Sequence, residues 1–323
     1  MNLIFAIAAL VAGLVILWKS AELLVSGAVS LAELLGVSPL IIGLTVVAMG
    51  TSSPEVAASI TAVFKDSGGD MAVGNVYGSN IANLALVGGL VALIRPIRVR
   101  RRTIRRELPV MLLVALLVWP LLQDLFISRT EGGLLLLVFA ALILLTIYAA
   151  RQEAKDNKKT EEQVKNYATA DTKKSVFFVI TGLLGLAIGA KLAVEGAVFI
   201  GRTVGLSEAV IGLTIIAIGT SLPELVTCVV AALKGQHDIS VGNLVGSNIF
   251  NTLLVLGAAG VIRPFGISGR LAGIDYWLMV GVSVLFATAI IAGRRIIRRF
   301  IGAVFVCGYI GYIVYLFSQS LQK

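Results

Sequence analysis

Long apolar segments alternate with short polar ones along almost the whole chain. Ten of these segments approach the ~20 apolar residues that an α-helix needs to cross roughly 30 Å of hydrocarbon. The pattern predicts transmembrane helices at residues 3–30, 37–64, 72–94, 108–125, 131–150, 175–200, 209–233, 239–262, 273–292 and 296–318. The first segment has no basic residue before Lys19 and no evident cleavage site, so we expect a membrane helix rather than a cleaved signal.

Composition agrees with this pattern. Of the 323 residues, 58% are hydrophobic and only 14% are charged, which is too apolar for a soluble domain and typical of an all-α polytopic membrane protein. Both cysteines, Cys228 and Cys307, fall inside predicted spans. We therefore expect two buried apolar residues, and neither a disulfide framework nor a thiolate metal site.

The chain contains an internal repeat. Residues 42–55 read IGLTVVAMGTSSPE and residues 211–224 read IGLTIIAIGTSLPE. The following segment repeats as well, because GNVYGSNIAN from Gly74 returns as GNLVGSNIFN from Gly242. Each copy covers five predicted helices, and since five is odd, the second copy must enter the membrane upside down.

The repeat divides the chain into three parts. We expect a first five-helix repeat at residues 1–150, a linker at 151–174 and a second, inverted five-helix repeat at 175–323. The linker is the only long polar stretch, and its mixed charges predict a solvated connection with some helix.

The distribution of arginine tests the inversion, because cytoplasmic loops concentrate Lys and Arg. Six further arginines follow Arg95 in RVRRRTIRR, whereas only Arg270 follows Arg263 at the same place in the second copy. The distribution of basic residues predicts that the loops at 95–107, 151–174 and 293–299 are cytoplasmic and that both termini lie outside. We expect the membrane to be a plasma (inner) membrane. The net charge of +9 then reflects topology, and no nucleic-acid partner is expected.

The repeated GTS(S/L)PE motif carries the candidate chemistry. Pro54 and Pro223 lie within predicted spans 2 and 7, where a proline lacks an N–H and crowds a preceding carbonyl, so both helices should break there. Glu55 and Glu224 follow directly, and a carboxylate inside a membrane span is a functional candidate because its burial is costly. Carbonyl, hydroxyl and carboxylate oxygens are ligands that Ca²⁺ and Na⁺ prefer.

The next span of each copy adds further oxygens. Ser79 and Asn83 in the first copy correspond to Ser247 and Asn251 in the second. Inverted repeats with broken helices commonly place an ion site near the bilayer midplane at the repeat interface. We therefore expect these residues to converge near one pseudo-twofold axis.

The paired motifs GTSSPE with GSNIAN, and GTSLPE with GSNIFN, resemble the two alpha-repeats of the cation/calcium exchanger superfamily, in particular its prokaryotic sodium/calcium exchangers. The resemblance implies that Glu55 and Glu224 bind Ca²⁺ and Na⁺ in competition and that Asn83 and Asn251 take the remaining polar positions. It implies further backbone or hydroxyl ligands at Ala48, Thr51, Ser52, Ser79, Ala217, Thr220, Ser221 and Ser247. No cofactor is expected besides the transported ions, and the protein is expected to be a monomer in the lipid bilayer.

Two positions depart from the family pattern. Ser53 stands where the motif usually has Leu, which we interpret as a packing change of small consequence. Asn251 is an Asp in several exchangers, so this chain has two carboxylates in the motifs, Glu55 and Glu224. One Ca²⁺ or two Na⁺ would neutralise them, and the stoichiometry is left open.

These features favour a Na⁺/Ca²⁺ antiporter working by alternating access, and the resemblance alone implies that helices 1 and 6 slide against the rest. A Ca²⁺/H⁺ antiporter is the alternative, because a buried Glu can take up a proton. The inverted duplication argues against a passive channel, and an intramembrane enzyme lacks a nucleophile and base pair.

Several other charged residues are expected to be structural. Asp70 and Asp238 precede helices 3 and 8 and suit N-terminal capping. The pairs Lys19 with Glu22 and Lys191 with Glu195 each share a helix face, and we prefer mutual neutralisation over gating for them. His237, the only histidine, is expected in a solvated loop.

Overall fold

The computed structural model describes residues 2–65, 68–158, 172–206, 211, 215 and 217–320. The middle of the predicted linker, 159–171, and most of the first part of predicted helix 7 lie outside these residues.

The first repeat region is helical apart from two short strands. Its α-helices are α1 Leu3–Leu35, α2 Pro39–Ile42, α3 Ala48–Thr51, α4 Ser53–Ala62, α5 Gly68–Ile81, α6 Gly88–Ile94, α7 Arg101–Arg105, α8 Glu107–Leu117 and α9 Arg129–Lys158. Its other elements are π-helical turns at Gly43–Val47 and Ala82–Val87, a 3₁₀ turn at Trp119–Leu122, and strands β1 Ile97–Arg98 and β2 Phe126–Ile127.

The second repeat region has a similar order of elements over its described residues. Its α-helices are α10 Thr172–Thr203, α11 Ala217–Thr220, α12 Leu222–Leu233, α13 His237–Phe250, α14 Leu256–Ile262, α15 Tyr276–Ala292 and α16 Arg299–Ser320. Its other described elements are π-helical turns at Asn251–Val255 and Leu271–Asp275, and strands β3 Phe265–Gly266 and β4 Ile296–Ile297.

The expected all-helical, apolar architecture is confirmed. Among the described residues, seven helices are long and apolar enough to cross a membrane, or eight if the pair Pro39–Thr51 and Ser53–Ala62, bent by 41°, forms one span. Predicted helix 4 at 108–125 is shorter than expected, because Glu107–Leu117 is followed by a 3₁₀ turn that contains Pro120. Proline disfavours the α conformation in the residue before it, which accounts for this early end.

Helices α1 and α10 run antiparallel in close contact. Gly182, Gly189 and Gly196 recur every seven residues along α10. A Cβ atom at these positions would lie 2.7, 2.8 and 2.6 Å from backbone atoms of Leu24, Leu17 and Ala6 in α1. Small residues at a helix interface allow such close backbone approach in membranes, so the glycines of α10 form a smooth contact surface for α1.

Two pairs of short strands join the two repeat regions. β1 pairs antiparallel with β4, so that Ile97 faces Ile297. β2 pairs antiparallel with β3, so that Ile127 faces Phe265. The arginine-rich loops that follow α6 and α15 therefore lie together on one face of the molecule.

Asp70 and Asp238 connect the repeat regions instead of capping their own helices. The Asp70 Oδ1 atom accepts a hydrogen bond of 2.6 Å from the backbone N–H of Ser268. The Asp238 Oδ2 atom lies 2.7 Å from Nε of Arg100. Each aspartate thus bonds to a loop of the opposite region, which the helix-capping expectation missed because position in the sequence does not identify a tertiary neighbour.

Candidate cation-binding site

Both GTS(S/L)PE motifs break their helices at a single serine. Ser52, between α3 and α4, has φ −85° and ψ 4°. Ser221, between α11 and α12, has φ −90° and ψ 4°. Pro54 and Pro223 are the second residues of the following helices, where proline is tolerated because the first N–H groups of a helix have no intrahelical partner. Glu55 and Glu224 therefore lie in the first turn of a new helix.

Ser53 has a specific contact at the first break. Its hydroxyl donates a hydrogen bond of 2.8 Å to the carbonyl oxygen of Gly50, which lies four residues before Pro54 and is the carbonyl that a helical proline crowds. The side chain is exposed, so this bond lies on the outer side of the helix. Leu222, at the equivalent position, has no hydroxyl to donate.

The two carboxylates are fully buried. Glu55 and Glu224 are each 0% exposed and close enough to interact electrostatically. The Ser52 hydroxyl donates a hydrogen bond of 2.9 Å to Oε1 of Glu224. A serine of the first motif therefore contacts the carboxylate of the second motif, which brings the two sequence repeats together at one site.

Several buried polar atoms at this site lack a hydrogen-bond partner among the described residues. They are both carboxylate oxygens of Glu55, Oε2 of Glu224, Oγ of Ser221, and the side-chain oxygen and nitrogen of Asn83 and Asn251. A buried polar atom without a partner costs about 1–3 kcal/mol. Their concentration at the duplicated motifs fits oxygen ligands for a dehydrated cation such as Ca²⁺ or Na⁺.

Asn83 and Asn251 occupy equivalent distortions of their helices. Both are fully buried, and they lie in the π-helical turns Ala82–Val87 and Asn251–Val255. Such turns inside α-helices are frequent at functional sites, because they change the direction of side chains and backbone groups.

The other predicted ligands lie around the two breaks and on the helices α5 and α13. Ala48, Thr51, Ser52, Ser79, Ser221 and Ser247 are buried. Thr220 is half-buried, and Ala217 begins α11. The Ser79 side chain lies next to the Glu55 carboxylate, and the Thr51 side chain lies next to Glu224. The structure therefore gathers residues from both motifs around the carboxylate pair.

Two asparagines at the site were missing from the sequence prediction. Oδ1 of Asn243 accepts a hydrogen bond of 3.1 Å from the Thr51 hydroxyl, and its Nδ2 donates one of 3.3 Å to Sγ of Cys228. Asn75 occupies the equivalent position, and its Nδ2 donates to Oγ of Ser59 at 2.8 Å and to the Glu55 carbonyl at 3.2 Å. The sequence did contain a signal for them, because Asn75 in GNVYGSN and Asn243 in GNLVGSN occupy the same place in the two copies of the repeat.

The cysteines differ from the expectation that both are buried. Cys228 is buried beside Asn243, but Cys307 is exposed on α16. A predicted membrane span can present a residue to lipid as easily as to the protein interior, and the sequence pattern did not separate these two environments.

A sequence model of the family described as "Sodium/calcium exchanger protein" matches residues 5–148 and 174–318. The chain belongs to the sodium/calcium exchanger family. The exchanger is 42% identical to "Putative antiporter CaxA" of Alkalimonas amylolytica over 95% of this chain and 97% of that protein. It is 38% identical to "Inner membrane protein YrbG" of Escherichia coli K12 over 98% of both chains.

The fold of this exchanger is also that of a solved relative. The structure of the sodium/calcium exchanger from Methanococcus jannaschii superposes with a TM-score of 0.82 at 29% identity, covering 97% of this chain and 99% of that chain. The family consists of membrane antiporters of Ca²⁺ and other cations rather than enzymes. Family membership, antiport and a multi-pass membrane location are thereby confirmed.

Proposed function

We propose that this exchanger moves Ca²⁺ against Na⁺ by alternating access at a site formed by both motifs near the membrane midplane. The main support is the pair Glu55 and Glu224, which are fully buried at equivalent helix breaks. Three of their four carboxylate oxygens lack a hydrogen-bond partner among the described residues. Two ionised carboxylates held together in a membrane require a compensating positive charge. One Ca²⁺ or two Na⁺ would supply it, which makes the two ions competitors.

The ligand set that we propose extends from these carboxylates to the neighbouring oxygens. It consists of Glu55, Glu224, Asn83, Asn251, Thr51, Thr220, Ser52, Ser221, Ser79, Ser247, and the backbone carbonyls of Ala48 and Ala217. Six to eight oxygens form a typical Ca²⁺ site, so different subsets of this group would serve Ca²⁺ and Na⁺.

We assign the architecture as ten spans in two inverted repeats of five, at 1–150 and 175–323 with a linker at 151–174. The antiparallel packing of α1 and α10 and the crosswise strand pairs β1 with β4 and β2 with β3 support the inversion. The arginine-rich face is then cytoplasmic by the positive-inside rule, with both termini on the other side of the inner membrane and the protein acting as a monomer.

Sliding of α1 and α10 against the remaining helices would switch access between the two sides. The close glycine contacts between α10 and α1 support this step because they let the two helices move together as one pair. The ion pairs Lys19 with Glu22 at 3.0 Å and Lys191 with Glu195 at 3.9 Å are exposed on these helices. Their exposure favours a structural role over a gating role.

The test is ⁴⁵Ca²⁺ uptake into proteoliposomes loaded with Na⁺ and diluted into Na⁺-free buffer. Wild-type uptake should require internal Na⁺ and should disappear in the double variant Glu55→Gln, Glu224→Gln. Glu33→Gln is a matched control, because Glu33 is exposed on α1, and it should retain uptake.

Two results would contradict this function. Uptake that ignores Na⁺ and follows an imposed pH gradient would support Ca²⁺/H⁺ antiport instead. Uptake by the double variant equal to wild type would reject the site itself.

A further inference from the structure

A second polar pocket lies on the arginine-rich face, apart from the cation site. It has a volume of about 380 Å³, and its lining includes Arg98, Arg100, Arg295, Gln236, His237 and Asp238. The pairing of β1 with β4 brings Arg98 and Arg295 together from distant parts of the sequence. The pocket is therefore built by the contact between the two repeat regions.

The charges of the lining do not cancel. Arg100 is paired with Asp238 at 2.7 Å. The guanidinium groups of Arg98 and Arg295 have no hydrogen-bond or ion-pair partner in the described part of the chain. The pocket keeps an excess of two positive charges, which favours an anion.

The start of α13 adds to this preference. His237, which lines the pocket, is the first residue of α13, a helix of 14 residues. The N-terminus of a helix carries partial positive charge and is a common place for phosphate groups.

The backbone holds Arg295 in an unfavourable conformation. Arg294 has φ 53° and Arg295 has φ 74°. Both values fall in the left-handed region, which residues other than glycine rarely adopt. The carbonyl oxygen of Arg295 accepts a hydrogen bond of 2.9 Å from the N–H of Val99, which fixes this turn against the neighbour of Arg98. Leu125 has the same conformation before β2, with φ 57° and a carbonyl oxygen that accepts a hydrogen bond of 2.9 Å from the N–H of Ile267. The turn is therefore common to both repeat regions, and in the second one it places Arg295 beside Arg98.

We propose that this pocket binds a phosphate-type anion, either the headgroup of an anionic lipid or free inorganic phosphate. Arginine pairs with phosphate through parallel N–H···O bonds. Basic pockets at the cytoplasmic side of membrane proteins are suited to anionic headgroups. The occupant links the loops after α6 and α15, and so ties the two repeat regions together on this face.

The experiment measures the thermal unfolding midpoint of the purified full chain with two probes. One probe is inorganic phosphate added in neutral detergent, and the other is phosphatidylglycerol nanodiscs compared with phosphatidylcholine nanodiscs. The pocket variant is Arg98→Gln, Arg295→Gln. The matched control is Arg101→Gln, Arg298→Gln, which removes the same charge from exposed positions of the same face outside the pocket.

We expect at least one probe to raise the midpoint of the wild type. The apparent affinity of the protein for that probe should fall about tenfold or more in the pocket variant and less than about twofold in the control, because only the pocket arginines converge on one anion. A response to phosphate alone identifies a free anion, a response to phosphatidylglycerol alone identifies a lipid, and a response to both identifies the shared phosphate group. The proposal is overturned if neither probe acts or if both variants lose the same affinity.

The single variant Arg295→Gly provides a second test in case the double variant folds poorly. Glycine relieves the left-handed strain and also removes the guanidinium group. We expect a midpoint equal to or above that of the wild type without anion, together with a weaker response to the effective probe. An undiminished response would remove Arg295 from the site and overturn the pocket as assigned.

Discussion

The two motif halves are nearly identical in sequence, yet their carboxylates have different surroundings. Glu224 accepts a hydrogen bond from Ser52 of the opposite motif. Glu55 and Ser221, the mirrored pair, both have side-chain oxygens without a partner among the described residues. The duplication fixes which residues are present, whereas the relative position of the two halves decides which of them bond.

A mirrored difference of this kind fits the alternating access that we propose. In inverted-repeat transporters, access changes largely by rocking of one repeat or bundle against the other around the site, and such a movement would change which of the mirrored groups are in contact. We therefore expect Ser221 to bond to Glu55 in the opposite access state, with Ser52 released from Glu224. The two serines would then be equivalent over a full transport cycle and different in any one state.

The largest expected effect tests whether the carboxylates are equivalent. Either single variant, Glu55→Gln or Glu224→Gln, should reduce Na⁺-dependent ⁴⁵Ca²⁺ uptake by about 100-fold, or ~3 kcal/mol, because one remaining carboxylate leaves a buried Ca²⁺ with uncompensated charge. Uptake rates in proteoliposomes, normalised to monodisperse protein, measure this.

Equal losses support a shared role in Ca²⁺ binding. If one variant transports Ca²⁺ at the wild-type rate while the other is inactive, a single carboxylate carries the site and the equivalence fails.

A smaller effect should separate the two serines in the ion-free protein. Ser52→Ala should lower the free energy of unfolding by about 1.5 kcal/mol, because it removes a hydrogen bond to a buried carboxylate. Ser221→Ala should change it by less than ~0.5 kcal/mol, since its hydroxyl has no partner to lose among the described residues. Unfolding in detergent without Ca²⁺ or Na⁺ gives both values.

The Ser52 effect should also shrink when Ser52→Ala is combined with Glu224→Gln, as expected for two groups in direct contact. Equal effects of the two serine variants would show that the mirrored hydrogen bonds are both present or both absent.

Asn75 and Asn243, which lie outside the GTS(S/L)PE motifs, allow the same comparison of the two repeats. Asn243 contacts Thr51 of the opposite repeat, whereas the contacts of Asn75 with Ser59 and Glu55 stay within its own repeat. Asn243→Ala should raise the apparent Ca²⁺ dissociation constant about fivefold, or ~1 kcal/mol, through loss of the bond that orients Thr51. Asn75→Ala should change it by less than about twofold.

Competition of unlabelled Ca²⁺ with ⁴⁵Ca²⁺ binding measures both constants. A larger effect of Asn75→Ala would mean that contacts within a repeat, rather than contacts between the repeats, position the ligands.

The sequence predicts the features that depend on local contacts and misses those that depend on contacts between the two halves. The helix breaks and the burial of Glu55 and Glu224 depend on local rules for proline and for charge in a membrane span, and the structure has them. The partner of Ser52, the crossed bonds of Asp70 and Asp238, and the place of Asn243 depend on how the two halves pack. No periodicity within one segment encodes that packing, although the repeat itself marked Asn75 and Asn243 as equivalent.

The smallest expected effect concerns Ser53, where the two motifs differ in sequence. Ser53→Leu makes the first motif match the second, and it exchanges the exposed hydrogen bond to the Gly50 carbonyl for apolar contact with lipid. A net hydrogen bond and a partly exposed leucine each contribute about 1 kcal/mol, so the free energy of unfolding should change by less than ~0.5 kcal/mol and ⁴⁵Ca²⁺ uptake by less than about twofold. Leu222→Ser is the reciprocal control. If Ser53→Leu alone abolishes uptake while Leu222→Ser does not, the Gly50 carbonyl needs its hydroxyl partner for transport, and the first motif has a requirement that its repeat lacks.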